Sequence, residues 1–222
     1  MFKTELHCHS KDISFCSSAS VDDIIAEYTA AGYSTLMLAN HFEPATMRRR
    51  EAASYEDFVK MYVSAWEKLR DAAAGRINVL FGAELRFECN LNDYLLFGAT
   101  PEFLLSHPDI FSMTPASFSE CAREAGVLFV QAHPFRNNMT LVDPKYLDGV
   151  EVFNGHGGHD SRNPIAEVWA ERFSLIKTSG SDYHHPSHKA NSGILTEREI
   201  KTVSELVATL RSGKYELIKG NG

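Results

Sequence analysis

The sequence predicts an α/β barrel. Two observations carry that expectation: apolar runs of strand length alternate with amphipathic helical segments from end to end, and residues able to ligate metals stand where those runs finish. His7-Cys8-His9 closes the first run and His41 follows residues 34–40. Glu84 follows 79–83, His133 follows 127–132, and Asp182 and His184 follow 178–181. Parallel strands joined by helices bring their C-terminal ends to one rim, so residues in those places converge. An open doubly wound sheet, the alternative architecture, would gather them at a single switch point instead.

Local signals place the elements in order. After the first strand, Ser20 offers a helix N-cap with Asp23 three residues on. Ile24, Ile25, Tyr28 and Ala31 then space an apolar face until Gly32. Residues 34–39 form a second strand. Ser54 caps a long helix in which Phe58, Met61, Tyr62, Ala65, Trp66 and Leu69 recur at helical spacing as far as Gly75, and these aromatics read as core. Residues 79–81 and 94–97 make the third and fourth strands, linked by a turn across 88–92. A helix is expected over 114–125, a fifth strand up to His133 and a sixth at 149–153 that runs into the Gly-rich stretch 154–160. Pro164 opens a helix to Phe173, and 176–179 form the seventh strand. The tail holds a helix near 203–210 and a closing strand at 215–218. Strand–helix alternation calls for parallel pairing, and roughly seven such units suffice to curl a sheet toward closure.

Composition narrows the classes of function. A chain of 222 residues, 44% hydrophobic and without a Pro/Gly/Ser-rich linker, is expected to form one domain over residues 1–222. Its net charge of −7 disfavours a general affinity for nucleic acid, whose phosphates demand clustered Lys and Arg. Arg48-Arg49-Arg50 is the only basic cluster and reads as a solvated start to the following helix. No run approaches the ~20 apolar residues that span a bilayer, and an H-x-H so near Met1 leaves no room for a signal peptide's apolar region. A cytoplasmic protein without a membrane partner is expected. Cys8, Cys16, Cys89 and Cys121 lack C-x-x-C spacing and read as free thiols, with Cys8 turned away from His7 and His9 into packing. The sequence carries no signal for an oligomeric state.

Taken together, these residues resemble the PHP superfamily, named for polymerase and histidinol phosphatase. The resemblance spans the chain and rests on His7-Cys8-His9-Ser10, Asn40-His41, Gly82-Ala83-Glu84 with Ala132-His133-Pro134, and Gly180-Ser181-Asp182-Tyr183-His184. It implies a distorted (β/α)7 barrel with two or three divalent metal ions. His7 and His9 would bind one metal with Glu84 and Asp182, His133 would serve a second beside Glu84, and His41 and His184 a third. Glu84, Asp182 and His184 would carry the catalytic role. Three positions depart from the family pattern. Asn40 replaces the usual Asp, the loop after the H-x-H reads Asp12-Ile13-Ser14-Phe15-Cys16 where many relatives carry a further His or Asp, and Asp93 precedes the fourth strand where many carry a His. Cys16 as a thiolate and Asp93 as a carboxylate are the candidate replacements, against a packed thiol and an ordinary strand-start acid.

Imidazoles and carboxylates together suit Zn²⁺, Mn²⁺ or Fe²⁺, and such a site activates water and polarises a phosphoryl oxygen. Hydrolysis of a small-molecule phosphorylated substrate is the expected reaction. Arg136 and Arg86, close to His133 and Glu84, are the expected phosphate partners, with Arg162 a further candidate. Asn154, His156 and His159 occupy a strand-end loop from which polar groups reach a ligand. His185 and His188 stand near the site, whereas His107 reads as an ordinary loop residue. Three alternatives remain: a C–N hydrolase of the amidohydrolase kind, where a Lys is expected at the stage occupied by Glu84; a nuclease acting on nucleic-acid ends; and a metal-binding regulatory module with reduced catalysis.

Overall fold

In the computed structural model, which describes residues 1–220, the chain opens with β1 (Phe2–Cys8), α1 (Val21–Ala30), β2 (Tyr33–Leu38), β3 (His41–Phe42), α2 (Pro44–Arg49) and α3 (Tyr55–Ala73). It continues through β4 (Asn78–Phe81), β5 (Ala83–Leu85), β6 (Tyr94–Phe97), α4 (Pro101–Leu105), α5 (Pro115–Glu124) and β7 (Leu128–Gln131). It finishes with β8 (Gly149–Asn154), α6 (Asn163–Phe173), β9 (Ile176–Gly180), β10 (Ser192–Thr196), α7 (Val203–Ser212) and β11 (Glu216–Lys219).

Side-chain caps start the helices where the sequence indicates. Ser20, Ser54, Thr100, Thr114 and Thr202 each accept a backbone N–H from the residue three further on. Each such cap stabilises its helix by about 1 kcal/mol. Of the elements that escape a sequence reading, β3, β5, α2 and α4 have too few residues to show a period, whereas β10 is as long as β9. Arg48 and Arg49 accordingly end α2 and do not open the next helix.

The strands form two ladders, β11-β10-β1-β2-β4 and β3-β5-β6-β7-β8-β9. Pairing is parallel between β1 and β2, β2 and β4, β3 and β5, β7 and β8, and β8 and β9, as alternation requires. The expectation of parallel pairing throughout fails at β6, β10 and β11, which run antiparallel to their partners. The link from β5 to β6 shows why: a parallel crossover needs roughly a dozen residues or more, and residues 86–93 are too few. Reversal of β6 has a consequence for chemistry. Its first residues lie at the rim where neighbouring strands end, which delivers Asp93 to that rim.

The two ladders meet where Cys8 bridges Tyr183 and where β4 runs through Gly82 into β5. Leu6, Met37 and Leu80 from one ladder share an interior cluster with Leu95, Leu128 and Val130 from the other, joined by Leu206 and Leu210 of α7. Aromatic rings form a second cluster between α3, α5 and the strands, in which Phe129 stacks on Tyr94 at 4.6 Å and meets Phe118 edge-on at 4.8 Å. Cys8 is fully buried, as its alternation with His7 and His9 requires, and all four cysteines are free. Among the described residues no helix is long and apolar enough to cross a membrane.

Phe129→Ala removes a ring at the middle of the aromatic cluster and should lower stability by about 3–5 kcal/mol. Urea unfolding followed by tryptophan fluorescence measures this; a loss below about 1 kcal/mol would contradict the packing described.

Candidate metal centre

The carboxylate of Glu84 stands at the middle of the rim. Its Oε1 lies 3.2 Å from His7 Nε2 and 3.2 Å from His133 Nε2. Its Oε2 lies 2.7 Å from His41 Nδ1 and 3.4 Å from His9 Nε2. Asp182 Oδ1 is 3.4 Å from both His7 Nε2 and His9 Nε2, and 3.2 Å from His184 Nδ1. All seven residues expected at the rim are therefore brought together, from β1, β3, β5 and the turns after β7 and β9. Four groupings have donor atoms within 4.8 Å of one another: His7 with Glu84 and His133, His7 with His9 and Asp182, His9 with His41 and His184, and His41 with Glu84 and Asp93.

The donors fit a cation. Two atoms each about 2.1 Å from one tetrahedral ion stand roughly 3.4 Å apart, which is the spacing found among His7, His9, Glu84 and Asp182. Moreover His7 Nε2 and His9 Nε2 are buried without a hydrogen-bond partner. Buried polar atoms without partners are costly, and a shared cation would satisfy both.

Neighbouring side chains fix which nitrogen faces inward. His7 Nδ1 donates to Glu151 Oε1 at 2.9 Å, leaving the Nε2 lone pair for the centre. His9 Nδ1 donates to Ser14 Oγ at 2.8 Å; that hydroxyl donates onward to Asn40 Oδ1 at 2.9 Å and accepts the His41 N–H at 2.9 Å. Asn40, the departure from the family pattern, thus holds the H-x-H loop, also accepting Ser10 N–H at 2.8 Å. Asn154 Nδ2 donates to Asp182 Oδ2 at 3.1 Å and to Glu151 Oε2 at 2.9 Å. Glu5 accepts the N–H groups of His7 and Ser181, at 2.9 and 2.8 Å, tying β1 to the turn after β9. Burial raises Glu5 to about 7 despite those donors. A Cβ on Gly180 would strike His7 and Glu151, so only glycine lets β9 approach this closely. His133 (φ 27°) and Asp182 (φ 49°) take the left-handed backbone region, a strain their neighbours must hold in place.

Charge is balanced inside the cluster. Burial alone would push Glu84 and Asp182 up, but His7 with His41, and His7 with His184, hold them well below the usual carboxylate range. Burial opposes the charged form of His184, yet Asp182 lifts it to about 9. His9 is driven well below its ordinary value by burial and by His184.

The remaining candidates divide. A pocket of about 320 Å³ opens onto the centre, lined by Cys16, Arg86, Arg136, His156, His159 and His185 besides the cluster itself. Larger hollows, of about 680 and 600 Å³, lie elsewhere and contain none of these residues. Arg136 keeps donors available, since its contacts to Asp93 and Asp182 are long, at 3.5 and 4.0 Å. Arg86 instead forks onto Asp93 at 2.7 and 2.8 Å, so its guanidinium is largely engaged. Asn154 is buried at the end of β8 and orients Asp182, where a flexible loop position was expected. His156 stacks on His159 at 4.5 Å, and burial, opposed by Asp182, brings it to about 4. Arg162 is tied to Asn137 and the Phe135 carbonyl. His107 meets the Cys121 thiol, away from the rim.

Sequence reasoning missed Glu151, Ser14 and Glu5. The signal for Glu151 was present: a carboxylate between Val150 and Val152 in a fully apolar strand must have a buried partner.

A mixed α/β fold with a rim of imidazoles and carboxylates defines a class of metal-dependent hydrolase-like domains, and the comparisons narrow it. The chain belongs to the PHP domain family, whose model matches residues 5–215. No curated protein matches the sequence. Its fold is similar to that of a two-domain protein from Bacteroides vulgatus containing a predicted PHP-like metal-dependent phosphoesterase, at TM-score 0.66 and 16% identity over 99% of this chain. This chain spans only 65% of that protein's length. A lesion-specific endonuclease, PfuEndoQ from Pyrococcus furiosus, matches at TM-score 0.64 and 15% identity, over 97% of this chain and 57% of its own. An amidohydrolase from Chromobacterium violaceum with bound sulfate matches at TM-score 0.56 and 15% identity, over 83% of this chain and 88% of its own.

Glu151→Gln should weaken cation binding by about 10–100-fold by loosening the His7 tautomer, measured by competition with a chromogenic chelator. Unchanged affinity would remove Glu151 from that role. Because Asp182 holds a proton on His184 up to about 9, that proton competes with a cation. Apparent affinity should therefore rise with pH through this range and fall below it, with proton release seen calorimetrically in buffers of different ionisation heat.

Proposed function

We propose that the chain is a metal-dependent phosphoesterase that hydrolyses a small-molecule phosphate ester with an activated water. The observation that supports this most is the set of unpartnered buried donors around Glu84, at the spacing a shared cation requires. His7, His9, Glu84 and Asp182 would hold one cation, Glu84 with His133 a second, and His41 with His184 a third, Zn²⁺, Mn²⁺ and Fe²⁺ being the matching ions. Cations held there supply a water of lowered pKa and neutralise charge developing on the phosphoryl group.

The residues of the chain do the rest. Arg136, at the pocket wall with free N–H groups, binds the non-reacting phosphate oxygens. Glu84 and Asp182 orient the attacking water through their inward oxygens, and Asn154 keeps Asp182 from turning. His184, bonded through Nδ1 to the Asp182 carbonyl at 2.9 Å, holds the strained turn in place. Arg86 acts on substrate indirectly, through Asp93. His156 contributes a neutral imidazole at the pocket mouth.

Action on nucleic-acid ends is a second reading, favoured by the likeness to PfuEndoQ, and the net charge of −7 is no argument against it once cations grip the scissile phosphate. The amidohydrolase reading has less support, because the pocket lining offers two arginines and, among the described residues, no lysine.

Turnover of p-nitrophenyl phosphate, its bis-ester and a single-stranded oligonucleotide, each with Mn²⁺ or Zn²⁺, distinguishes these readings. Small-ester hydrolysis should fall at least about 100-fold in His9→Ala and in Asp182→Asn. Cleavage of the oligonucleotide alone would favour the second reading, and no turnover despite tight metal retention would favour a regulatory module. Arg136→Ala should raise KM for the monoester well above its effect on uncharged p-nitrophenyl acetate; equal effects would strip Arg136 of its phosphate role.

A further inference from the structure

Beside the pocket over the centre lies a second hollow, of about 290 Å³. Arg86, Arg136 and His159 line both, whereas Leu91, Asn137, Asn138 and Met139 line the second alone. An ester whose phosphoryl group meets Arg136 from the centre therefore has room for its alcohol part next door.

The wall of this hollow is held in one shape. Residues 134–140 form neither helix nor strand, yet the segment is tied along its length. Arg136 N–H donates to the His133 carbonyl at 3.0 Å and Met139 N–H to the Arg136 carbonyl at 3.1 Å, so two turns continue directly from a rim histidine. Arg162 donates to the Phe135 carbonyl and, at 2.6 Å, to Asn137 Oδ1. At the far end Thr140 donates its N–H to Asn92 Oδ1 at 2.7 Å, and its carbonyl accepts from Asn92 Nδ2 and Gln131 Nε2, both at 2.8 Å. Asn92 and Gln131 are fully buried. Two amides are thus taken out of water, at a cost their bonds must offset, to fix an irregular surface segment. A wall ordered in advance loses less entropy when a ligand settles against it.

The lining selects what enters. Arg86 is forked onto Asp93 and also meets Glu43 at 3.3 Å, so Arg136 is the lining cation with open donors, and the phosphoryl group takes it. A second anionic group finds no counter-charge left. Among the described residues the lining holds no carboxylate, which leaves an ammonium group equally unpartnered, and no aromatic ring beyond the His159 imidazole on which a planar base could stack. What remains is neutral. The Asn138 amide and Asn137 Nδ2 have no hydrogen-bond partner among the described residues, and Leu91, 58% exposed, stands with Met139 as an aliphatic surface. Amides bond hydroxyl groups, and aliphatic side chains cover C–H faces. We propose that this hollow holds the alcohol part of the substrate and that the alcohol is a neutral sugar or polyol, its hydroxyl groups bonded by Asn137 and Asn138. The inference rests on the phosphoesterase reading of the centre.

Phosphate release from a panel of esters, with Mn²⁺ or Zn²⁺ present, tests the two readings separately. The panel sets inositol monophosphate and glucose 1-phosphate against phosphoglycerate, which adds a carboxylate, phosphoethanolamine, which adds an ammonium group, adenosine monophosphate, which adds a planar base, and p-nitrophenyl phosphate, which offers no hydroxyl group. The expected result is a higher kcat/KM for at least one of the two neutral polyol esters than for the three charged or base-bearing ones. In Asn138→Gly, a change that suits the backbone at φ 69°, the kcat/KM of that ester relative to p-nitrophenyl phosphate should fall by about 5–10-fold, the loss expected for one hydrogen bond. Preference for phosphoglycerate, phosphoethanolamine or adenosine monophosphate, or an unchanged ratio in Asn138→Gly, would overturn the proposal, while turnover of p-nitrophenyl phosphate leaves the phosphoesterase reading standing. Hydrolysis of none of the six esters would overturn both.

Discussion

A single buried carboxylate facing four imidazoles is the constraint around which the molecule is arranged. Glu84 is fully enclosed, and both of its oxygens face imidazole nitrogens. An isolated carboxylate in such surroundings would be costly by many kcal/mol and would take up a proton. His7, His9, His41 and His133 prevent this, and they arrive from strand ends that are far apart in sequence. The fold must therefore hold several rim segments in register at once, and most of the polar interior serves that purpose.

That support is layered outward from the centre. Glu151 holds His7, Ser14 holds His9 and the His41 backbone, and Asn154 holds Asp182. Glu5 then locks β1 to the turn after β9 through two backbone amides. The left-handed backbone at His133 and Asp182 fits the same picture, since strain of about 1–3 kcal/mol per residue persists only where neighbours overdetermine the conformation. Stability has been traded for placement of the inward atoms. The apolar clusters below the rim, above all the packed rings of Phe129, Tyr94 and Phe118, supply what that placement costs.

The pocket above the centre is asymmetric in a way that bears on specificity. Arg86 and Arg136 both reach Asp93, but Arg86 is neutralised by Asp93 and Glu43, whereas Arg136 keeps its donors open beside Asp182. Positive charge available to an anion is thus concentrated at Arg136. The sequence named Arg136, Arg86 and Arg162 as phosphate partners without showing which of them keeps its charge free.

The sequence by itself determined the long elements and the inward-facing residues. Capping residues and apolar periods are local properties, so α1, α3, α5 and α7 and the main strands were legible within a few residues, and His7, His9, His41, Glu84, His133, Asp182 and His184 stood where strand ends predicted. Tertiary structure alone decided what depends on partners distant along the chain. The reversal of β6 brought Asp93 to the rim, Arg86 turned onto that acid, Glu151 came to hold His7, and Glu5 came to hold the Ser181 amide. Periodicity reports whether a side chain is buried; it carries no record of which distant group will meet it there.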